Sequence, residues 1–259
     1  MNPKRALVTG ASSGIGREFA LQLAQQGYTI TGVARRKAQL QTLMNELPGN
    51  QHQCVVADLA DDSDMRAVLD VLRNDHFNLL VNNAGYSTFE PFYQSDLALQ
   101  QGVLQVNCTA VVTLAHTFLQ QAQRGDALVN LASVVSYLPT PAQPMYSASK
   151  AFVAALSECL WAEQKVRGVY VMGLCPGVTE SEFISTATGG AADGKNLPSA
   201  LTQTAQAVVA EALLALDKRR KAIVVTGRAN RAMMLLPRFL SRHRLLKILA
   251  VVGDPKRML

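Results

Sequence analysis

Seven short apolar segments recur along the 259-residue chain, separated by stretches in which apolar residues have helical spacing. The segments lack regular polar alternation, which is typical of strands covered on both faces. Between them, stretches such as GREFALQLAQQ (16–26) and DMRAVLDVLRN (64–74) have the pattern of amphipathic helices. The predicted strands are 5–10, 28–34, 52–59, 78–85, 127–133, 169–177 and 221–227.

This alternation predicts an α/β fold, a single-domain, doubly wound Rossmann fold with a seven-stranded parallel sheet. The predicted domain is residues 1–227, and with 49% hydrophobic residues the chain can form a large core. Residues 178–202 are rich in glycine and polar residues directly after a strand, where open sheets bind ligands, so they predict a substrate lid. Residues 228–259 form a basic, apolar C-terminal extension.

The net charge of +6 is distributed unevenly. Residues 218–259 carry twelve Lys/Arg and one acid, whereas residues 1–217 carry thirteen Lys/Arg and eighteen acids. The body is therefore acidic, which argues against a nucleic-acid groove. The uncharged runs of the extension are shorter than the about 20 apolar residues that span a bilayer. We expect the extension either to lie on an anionic membrane or to pack against the domain or a second subunit.

The four cysteines form no CxxC pair, so the sequence predicts neither a disulfide framework nor a metal site. Each is expected to be a small core residue. The N-terminus lacks the apolar core and cleavage site of a secretory signal. We therefore expect a cytoplasmic protein, whose membrane contact, if any, is through the extension.

The stretch TGASSGIG (9–16) follows the first predicted strand and opens the first helix. Its glycines permit a tight turn and close approach of the backbone to a ligand, and the helix N-terminus offers N–H groups to a pyrophosphate. The spacing is GxxxGxG instead of the commoner GxGxxG. The stretch predicts a dinucleotide cradle formed by Gly10, Ser12, Ser13, Gly14, Ile15 and Gly16.

Arg35 and Arg36 follow the second strand, where an acid would bind the adenosine ribose hydroxyls. Guanidinium groups attract a 2′-phosphate instead, which favours NADP(H), although two solvated arginines in a loop are the alternative. Asp58 and Leu59 end the third strand. There the carboxylate of Asp58 could accept from the adenine amino group or cap the helix that begins near Asp61.

The stretch MYSASKAF (145–152) places a phenol and an ammonium one helical turn apart, at Tyr146 and Lys150. An unperturbed tyrosine, with a pKa near 10, is rarely ionised at neutral pH. Because a cation on the same helix face favours the phenolate, we expect Lys150 to lower the pKa of Tyr146. Ser133 ends the fifth strand, from where its hydroxyl could meet Tyr146 and bond a substrate oxygen.

Six features, TGASSGIG, NNAG (82–85), Asn107, Ser133, YSASK and PGVT (176–179), have the order and spacing of the short-chain dehydrogenase/reductase family. The chain resembles this family over residues 5 to about 227. The resemblance implies an NADP(H)-dependent oxidoreductase that transfers a hydride between nicotinamide and a small-molecule carbonyl or alcohol substrate. It makes Tyr146 the general acid/base.

The resemblance also assigns the remaining site residues. Ser133 orients the substrate oxygen, Lys150 also bonds the nicotinamide ribose, and Asn107 kinks the fourth helix and holds a water. A buried asparagine with satisfied hydrogen bonds is the alternative for Asn107. Residues expected beneath or beside the cofactor are Asn83, Ala84, Gly85, Pro176, Gly177, Val178 and Thr179, although Pro176 and Gly177 also suit an ordinary strand exit.

Two further implications concern assembly and activity. The resemblance implies a homodimer or homotetramer, with the helices that contain Asn107 and Tyr146 at the interface. A non-catalytic NADP(H)-binding redox sensor of the same fold is the alternative function, but it would not need the intact catalytic set. Five residues suggest an apolar substrate pocket without defining the substrate: Phe89, Phe92, Tyr93, Leu138 and Phe183.

Overall fold

Strands and helices alternate along the chain as the hydrophobic pattern predicts. The computed structural model describes residues 3–141, 143–180, 183, 187 and 202–252. The strands are β1 (Arg5–Thr9), β2 (Thr29–Ala34), β3 (Gln53–Val56), β4 (Leu79–Asn82), β5 (Ala127–Leu131), β6 (Tyr170–Cys175), β7 (Val178–Glu180), β8 (Thr202–Thr204) and β9 (Ile223–Val225). The helices are α1 (Gly14–Gln25), α2 (Lys37–Glu46), α3 (Asp62–Asn74), α4 (Leu97–Leu104), α5 (Ala110–Gln121), α6 (Pro144–Gln164), α7 (Ala205–Lys218), α8 (Arg228–Met233), α9 (Leu236–Phe239) and α10 (Arg242–Val252).

Seven strands form one parallel sheet in the order β3-β2-β1-β4-β5-β6-β9, which confirms the predicted fold. The register pairs Val8 of β1 with Gly32 of β2 on one side and with Val81 of β4 on the other. The strand order reverses between β1 and β4. Because ligands bind outside the carboxyl ends of strands at such a switch point, the fold itself places a site there.

Both faces of the sheet are covered, because successive side chains of a strand point to opposite sides. Ala6 and Val8 belong to the core layer that contains α1, α2 and α7, whereas Leu7 belongs to the layer that contains α3 and α5. All three side chains are fully buried. This two-sided burial explains why the strand sequences lack polar alternation.

Helices α4 and α5 are joined by a π-helical turn, Gln105–Thr109, into one stretch from Leu97 to Gln121. Among the described residues this stretch alone is long and apolar enough to cross a membrane, with a mean hydropathy of 1.4. Half of its most apolar window is buried inside the fold. The apolar character therefore matches that of a core helix.

The segment predicted as a lid begins and ends in paired strands. Val178–Glu180 (β7) lies parallel to Thr202–Thr204 (β8), and Val178 pairs with Thr202. Apart from Phe183 and Ala187, residues 181–201 lie outside the described residues. The two ends of this segment are therefore held side by side at the carboxyl end of the main sheet.

The cysteines are all free, and their placement differs from the expectation of four core residues. Cys175 is buried, Cys54 and Cys108 are half-buried, and Cys159 is exposed on α6. The expectation was wrong for Cys159, whose position on a long helix faces solvent. Across the described ranges, no group of three His, Cys, Asp or Glu side chains could hold a metal ion.

Candidate active site

The glycine-rich turn between β1 and α1 has a backbone that only glycine adopts readily. Gly10 and Gly14 have φ angles of 66° and 55°, in the left-handed region. At Gly16 a side chain would collide with the Gly10 carbonyl and with the amide of Asn83. Ser13 begins α1 without a side-chain capping bond in the described structure, so the first N–H groups of the helix face outward. The turn fits the pyrophosphate of a dinucleotide.

Asn83, directly after β4, holds this turn in place through hydrogen bonds with Thr9. Its Nδ2 donates to Thr9 O at 2.8 Å, and its backbone N donates to Thr9 Oγ1 at 2.9 Å. The backbone N of Ala84 donates to the same hydroxyl at 3.0 Å. The NNAG segment therefore supports the cradle through hydrogen bonds between neighbouring strand ends.

Arg35 and Arg36 lie beside the turn. Arg36 donates from Nε and Nη2 to Ser12 Oγ, at 3.3 Å each, and Arg35 Nη1 lies 3.7 Å from Asp58 Oδ2. The Arg35 side chain is 67% exposed. Arg36 thus contacts the turn, whereas Arg35 faces Asp58 at the end of β3.

Asp58 does not cap the following helix, so that alternative is wrong. Asp61 caps α3 by accepting from Ser63 N and Asp64 N, at 2.8 and 3.0 Å. Asp58 Oδ1 accepts from Ala60 N instead. The neighbouring Leu59 is 6% exposed and belongs to the core, so only its backbone is available to a ligand.

Ser133, Tyr146 and Lys150 come together at the carboxyl end of β5. The Ser133 side chain lies close enough to the Tyr146 hydroxyl to lower the pKa of that group, and Ser133 Oγ donates to Pro176 O at 3.5 Å. Lys150 Nζ donates to Leu131 O at 2.6 Å and lies 5.6 Å from the centroid of the Tyr146 ring. Ser133 Oγ also accepts from Val135 N at 3.3 Å, which orients it at the start of a 3₁₀ turn.

Asn107 lies in the π-helical turn, a distortion often found at functional sites, and its side chain is fully buried. Its Oδ1 accepts from Tyr86 N at 3.1 Å, and its Nδ2 donates to Tyr86 O and to Ser149 Oγ, at 3.0 and 3.1 Å. These contacts match the alternative of an asparagine with satisfied hydrogen bonds. A side chain at Gly85 would lie 2.9 Å from Asn107 Oδ1 and 3.4 Å from Lys150 Nζ.

The PGVT segment continues from β6 and lies beside the turn that follows Ser133. Pro176 O accepts from Val134 N at 3.0 Å, and Gly177 O accepts from Thr179 Oγ1 at 3.2 Å. Gly177 packs against Asn230 of α8, because a side chain at Gly177 would lie 2.5 Å from Asn230 Oδ1. Sequence reasoning missed Asn230, which lies in the extension outside every motif.

A family model described as short chain dehydrogenase matches residues 4–189. The chain belongs to the short-chain dehydrogenase family. Sulfoacetaldehyde reductase 2 of Chromohalobacter salexigens is 34% identical to it over 191 residues, which cover 71% of this chain and 76% of that protein. The very-long-chain 3-oxoacyl-CoA reductase of Neurospora crassa is 33% identical over 177 residues, or 64% of this chain and 53% of that protein. The chain thus aligns with about half of the second relative.

Solved structures resemble this short-chain dehydrogenase over nearly its whole length. A short-chain dehydrogenase from Sphingobium yanoikuyae in complex with NADPH has a TM-score of 0.80 and 30% identity, covering 94% of this chain and 95% of that one. The bulky-bulky ketone specific alcohol dehydrogenase of Comamonas testosteroni has a TM-score of 0.76 and 27% identity, covering 93% and 96%. These likenesses extend past the matched family model into the C-terminal region.

Burial dominates the proton affinities at the centre of this short-chain dehydrogenase. It raises the pKa of Tyr146 above its ordinary value, by more than the hydrogen bond with Ser133 lowers it. Burial also lowers the pKa of Lys150 to about 8. The expectation of a lowered tyrosine pKa was therefore wrong in this structure. Tyr146 is protonated at neutral pH, which is the form that a proton donor requires.

Aromatic residues around the dehydrogenase site divide into two groups. The Phe183 ring lies 5.4 Å from the Tyr146 ring, at an interplanar angle of 49°. In contrast, Phe92 and Tyr93 are 53% and 85% exposed, and Leu138 is buried at 4%. Of the residues predicted to line an apolar pocket, Phe183 therefore contacts Tyr146, whereas Phe92 and Tyr93 are largely in solvent.

Proposed function

We propose that this short-chain dehydrogenase is an NADPH-dependent carbonyl reductase or alcohol dehydrogenase. The observation that carries the proposal is the convergence of Ser133, Tyr146 and Lys150 at the carboxyl end of β5. This group follows β5, whereas the glycine turn follows β1, and both lie at the carboxyl end of the sheet. A dinucleotide held by the turn would extend along this edge toward the catalytic side chains.

The residues around the glycine turn support NADP(H) as the cofactor. The turn leaves no room for a side chain at Gly16, and the cations Arg35 and Arg36 directly follow β2, where we expect the adenosine ribose to bind. The Sphingobium yanoikuyae relative was solved with NADPH. When bound, NADPH supplies the hydride that reduces the substrate.

Side chains of the protein supply the proton that the carbonyl oxygen receives. Tyr146 donates its hydroxyl proton to the carbonyl oxygen as the carbonyl carbon receives the hydride, so that an alcohol forms and a tyrosinate remains. Ser133 donates a hydrogen bond to the same oxygen and fixes its position. The ammonium of Lys150 stabilises the tyrosinate, because both groups lie in a buried site where charges interact strongly.

The ring of Phe183 favours an apolar substituent on the substrate carbonyl. Because this ring contacts Tyr146, a group next to the reacting oxygen would pack against it. We therefore propose aromatic or branched aliphatic ketones and aldehydes as the substrate class. The Comamonas testosteroni alcohol dehydrogenase is described as specific for bulky-bulky ketones.

The activity is tested by following NADPH oxidation with a panel of such carbonyl compounds. Tyr146→Phe should lower kcat by about 10²–10⁴-fold, because the proton donor is lost. Tyr137→Phe, a change nine residues earlier, should retain activity. NADPH binding without turnover across the panel would instead favour the non-catalytic redox sensor.

We also propose that the dehydrogenase is a homodimer or homotetramer. Large apolar side chains are exposed on the helices that carry the site, at Leu97, Leu99, Leu104, Val112 and Phe152. Five such residues on α4, α5 and α6 form the kind of apolar surface that a subunit interface covers.

A further inference from the structure

The extension after β9 exposes basic and apolar side chains together. Residues 228–252 contain six Lys/Arg and no Asp/Glu. The extension surface comprises the exposed residues Leu236, Phe239, Arg242, Arg244, Leu246, Lys247 and Ile248. We propose that the extension surface docks this dehydrogenase on an anionic membrane.

The apolar part of this surface is left uncovered by the domain. Phe239 is 82% exposed, and Leu246 and Ile248 are 39% and 48% exposed, whereas Leu245 is buried at 4%. Helix α10 therefore contacts the protein through Leu245 and leaves its neighbours in water. Such exposure is unfavourable, and insertion at the boundary of headgroups and acyl chains would remove it.

The charges of α10 lie where a membrane would meet them. At about 100° per residue, Lys247 points away from the buried Leu245, and Arg244 lies about a quarter turn from it. Leu246 and Ile248 lie to either side of these two cations. The outward face thus has basic side chains at its centre and partly exposed apolar side chains at its edges. On an anionic surface the cations would meet the headgroups, and the flanking apolar side chains could reach the acyl boundary.

A cleft beside the extension continues the same pattern. It has a volume of about 880 Å³ and lies between α7, β9 and the extension. Apolar side chains such as Leu235 and Pro237 line it together with the cations Lys218, Arg220 and Lys221. An anionic lipid offers both a headgroup for the cations and acyl chains for the apolar lining.

Other occupants fit these observations less well. Residues 218–259 carry a net charge of +11, so a two-fold interface between two copies of this surface would bring like charges together. A nucleic acid would neutralise the cations but would leave Phe239 and Ile248 in water. An anionic membrane would both neutralise the cations and remove the exposed apolar side chains from water.

The test is co-sedimentation of the full-length protein with phosphatidylcholine vesicles that contain about 30% phosphatidylserine, a typical anionic surface. Wild type should bind these vesicles and leave pure phosphatidylcholine vesicles largely free. Arg244→Gln and Lys247→Gln should each weaken binding about fivefold, and Arg66→Gln, on the exposed face of α3, should not. Phe239→Ser should also weaken binding severalfold.

A matched control separates membrane insertion from charge alone. Val166 is 84% exposed in the 3₁₀ turn that follows α6, outside the extension, so Val166→Ser removes a similarly exposed apolar group and should leave binding unchanged. The proposal is overturned if wild type stays in the supernatant, or if Phe239→Ser behaves like Val166→Ser. The second result would indicate purely electrostatic binding, as to a nucleic acid.

A different observation points to a positioning role for Asn230. This residue is 2% exposed in α8, and its Oδ1 has no hydrogen-bond partner within the described structure. Its Nδ2 donates to Thr226 O at 3.0 Å, and the side chain fills the space beside Gly177. A buried acceptor without a partner is costly, and such groups are retained where they serve a function.

The surroundings hold Asn230 firmly in place. Thr226 Oγ1 donates to Gln203 Oε1 at 2.8 Å, which joins the end of β9 to β8. Glu211 of α7 accepts from Gly227 N at 3.1 Å and from Arg231 at 2.6 Å. We infer that Asn230 positions the Pro176–Thr179 segment, so that the extension influences the nicotinamide end of the proposed cofactor site.

A double-mutant cycle tests this contact through NADPH affinity, measured by fluorescence titration. Gly177→Ala should weaken NADPH binding at least tenfold because its new methyl group collides with Asn230. Adding Asn230→Ala should restore affinity at least threefold relative to Gly177→Ala. Arg73→Gln, which breaks the exposed ion pair with Asp70 on α3, is the control and should leave NADPH affinity unchanged.

Additive effects of the two substitutions would show that the contact does not position the segment. This inference rests on the proposed function only for the identity of the cofactor. If neither the wild type nor any of the variants binds NADPH, the proposed function fails. If wild type binds and the cycle is additive, the role of Asn230 alone fails.

Discussion

At the scale of single residues, burial decides the proton affinities of the site. Lys150 is 5% exposed, and its ammonium donates to one backbone carbonyl with no carboxylate among its described partners. Tyr146 shares the same surroundings and holds its proton more tightly than an exposed tyrosine. Tyr146 therefore keeps its proton at neutral pH, as its proposed role of proton donor requires.

The lowered pKa of Lys150 predicts a specific pH dependence of stability. Folded protein releases this proton near pH 8 and unfolded protein near pH 10.5, so between these values the unfolded state binds more protons. The Lys150 contribution to the free energy of unfolding should therefore rise from pH 8 to 10.5. The rise is about 3 kcal/mol at most, at about 1.4 kcal/mol per pKa unit.

Urea unfolding of wild type and Lys150→Met at a series of pH values measures this contribution as a difference. Other groups that titrate in the same range largely cancel in the comparison. A difference that is constant from pH 7 to 10 would show that burial does not depress the lysine pKa.

Arg35 provides the second prediction at this scale. Arg35→Asp replaces a cation by an anion at the position of the 2′-phosphate, so the ratio of kcat/KM for NADPH to that for NADH should fall at least about tenfold. Arg66→Asp, which reverses an exposed charge elsewhere, is the matched control. An unchanged ratio would show that Arg35 does not meet a 2′-phosphate.

At the scale of elements, neighbouring strand ends define the site more than any single motif does. The end of β4 supports the turn after β1 through Asn83, and the segment after β6 accepts from the turn after β5 at Pro176. Gly16 lies at the tightest of these contacts. Substitutions there should disturb two strand ends together.

Gly16→Ala should lower the free energy of unfolding by about 2 kcal/mol and abolish measurable NADPH binding, because the added methyl group collides with backbone and with Asn83. Gly32→Ala in β2 is the control, since its nearest neighbour is the flexible end of Met44 at 3.2 Å. Thermal unfolding and NADPH titration of both variants measure the two effects. Equal losses of stability and NADPH affinity in the two variants would show that Gly16 has no special role.

Each predicted strand contained the observed one, but most were too long at the carboxyl end. Residues such as Asp58 and Asn83 follow the apolar strand residues without a break in the sequence pattern. In the structure they lie beyond the last strand hydrogen bonds, where they contribute to the candidate site. Strands β7 and β8 were not predicted, because three-residue strands such as VTE and TQT show no periodicity.

Two features of the site could not be predicted from the sequence, the direction of the Tyr146 pKa shift and the contact of Asn230, because both depend on how the elements pack. The spacing of Tyr146 and Lys150 indicated their shared helix face, but the extent of burial, which reverses the expected pKa shift, depends on the surrounding elements. The contact between Asn230 and Gly177 also could not be predicted, because 53 residues separate the two in the sequence. Contacts of this length are not visible in local patterns.

At the scale of the whole molecule, exposed surfaces predict assembly. Val112 of α5 and Phe152 of α6 are 40% and 43% exposed, on the pair of helices that would form the proposed subunit interface. Light scattering coupled to size exclusion should show a dimer or tetramer for the wild type. A monomeric wild type would contradict the proposed assembly.

Phe152→Glu should lower the measured mass of the assembly, because it would bury a charge at a subunit contact. Val166→Glu introduces the same charge at a site that is 84% exposed, and should leave the mass unchanged. If Phe152→Glu has no effect, these helices do not form the interface.

The pairing of β7 with β8 has a consequence for how this protein could diversify. Because the ends of the 181–201 segment are held side by side, its length can change with little energetic cost, since doubling a loop costs only about 0.6 kcal/mol. Evolution could therefore exchange this segment between relatives while the proton-transfer groups stay in place. Under the proposed function, grafting such segments would be a route to new substrate ranges.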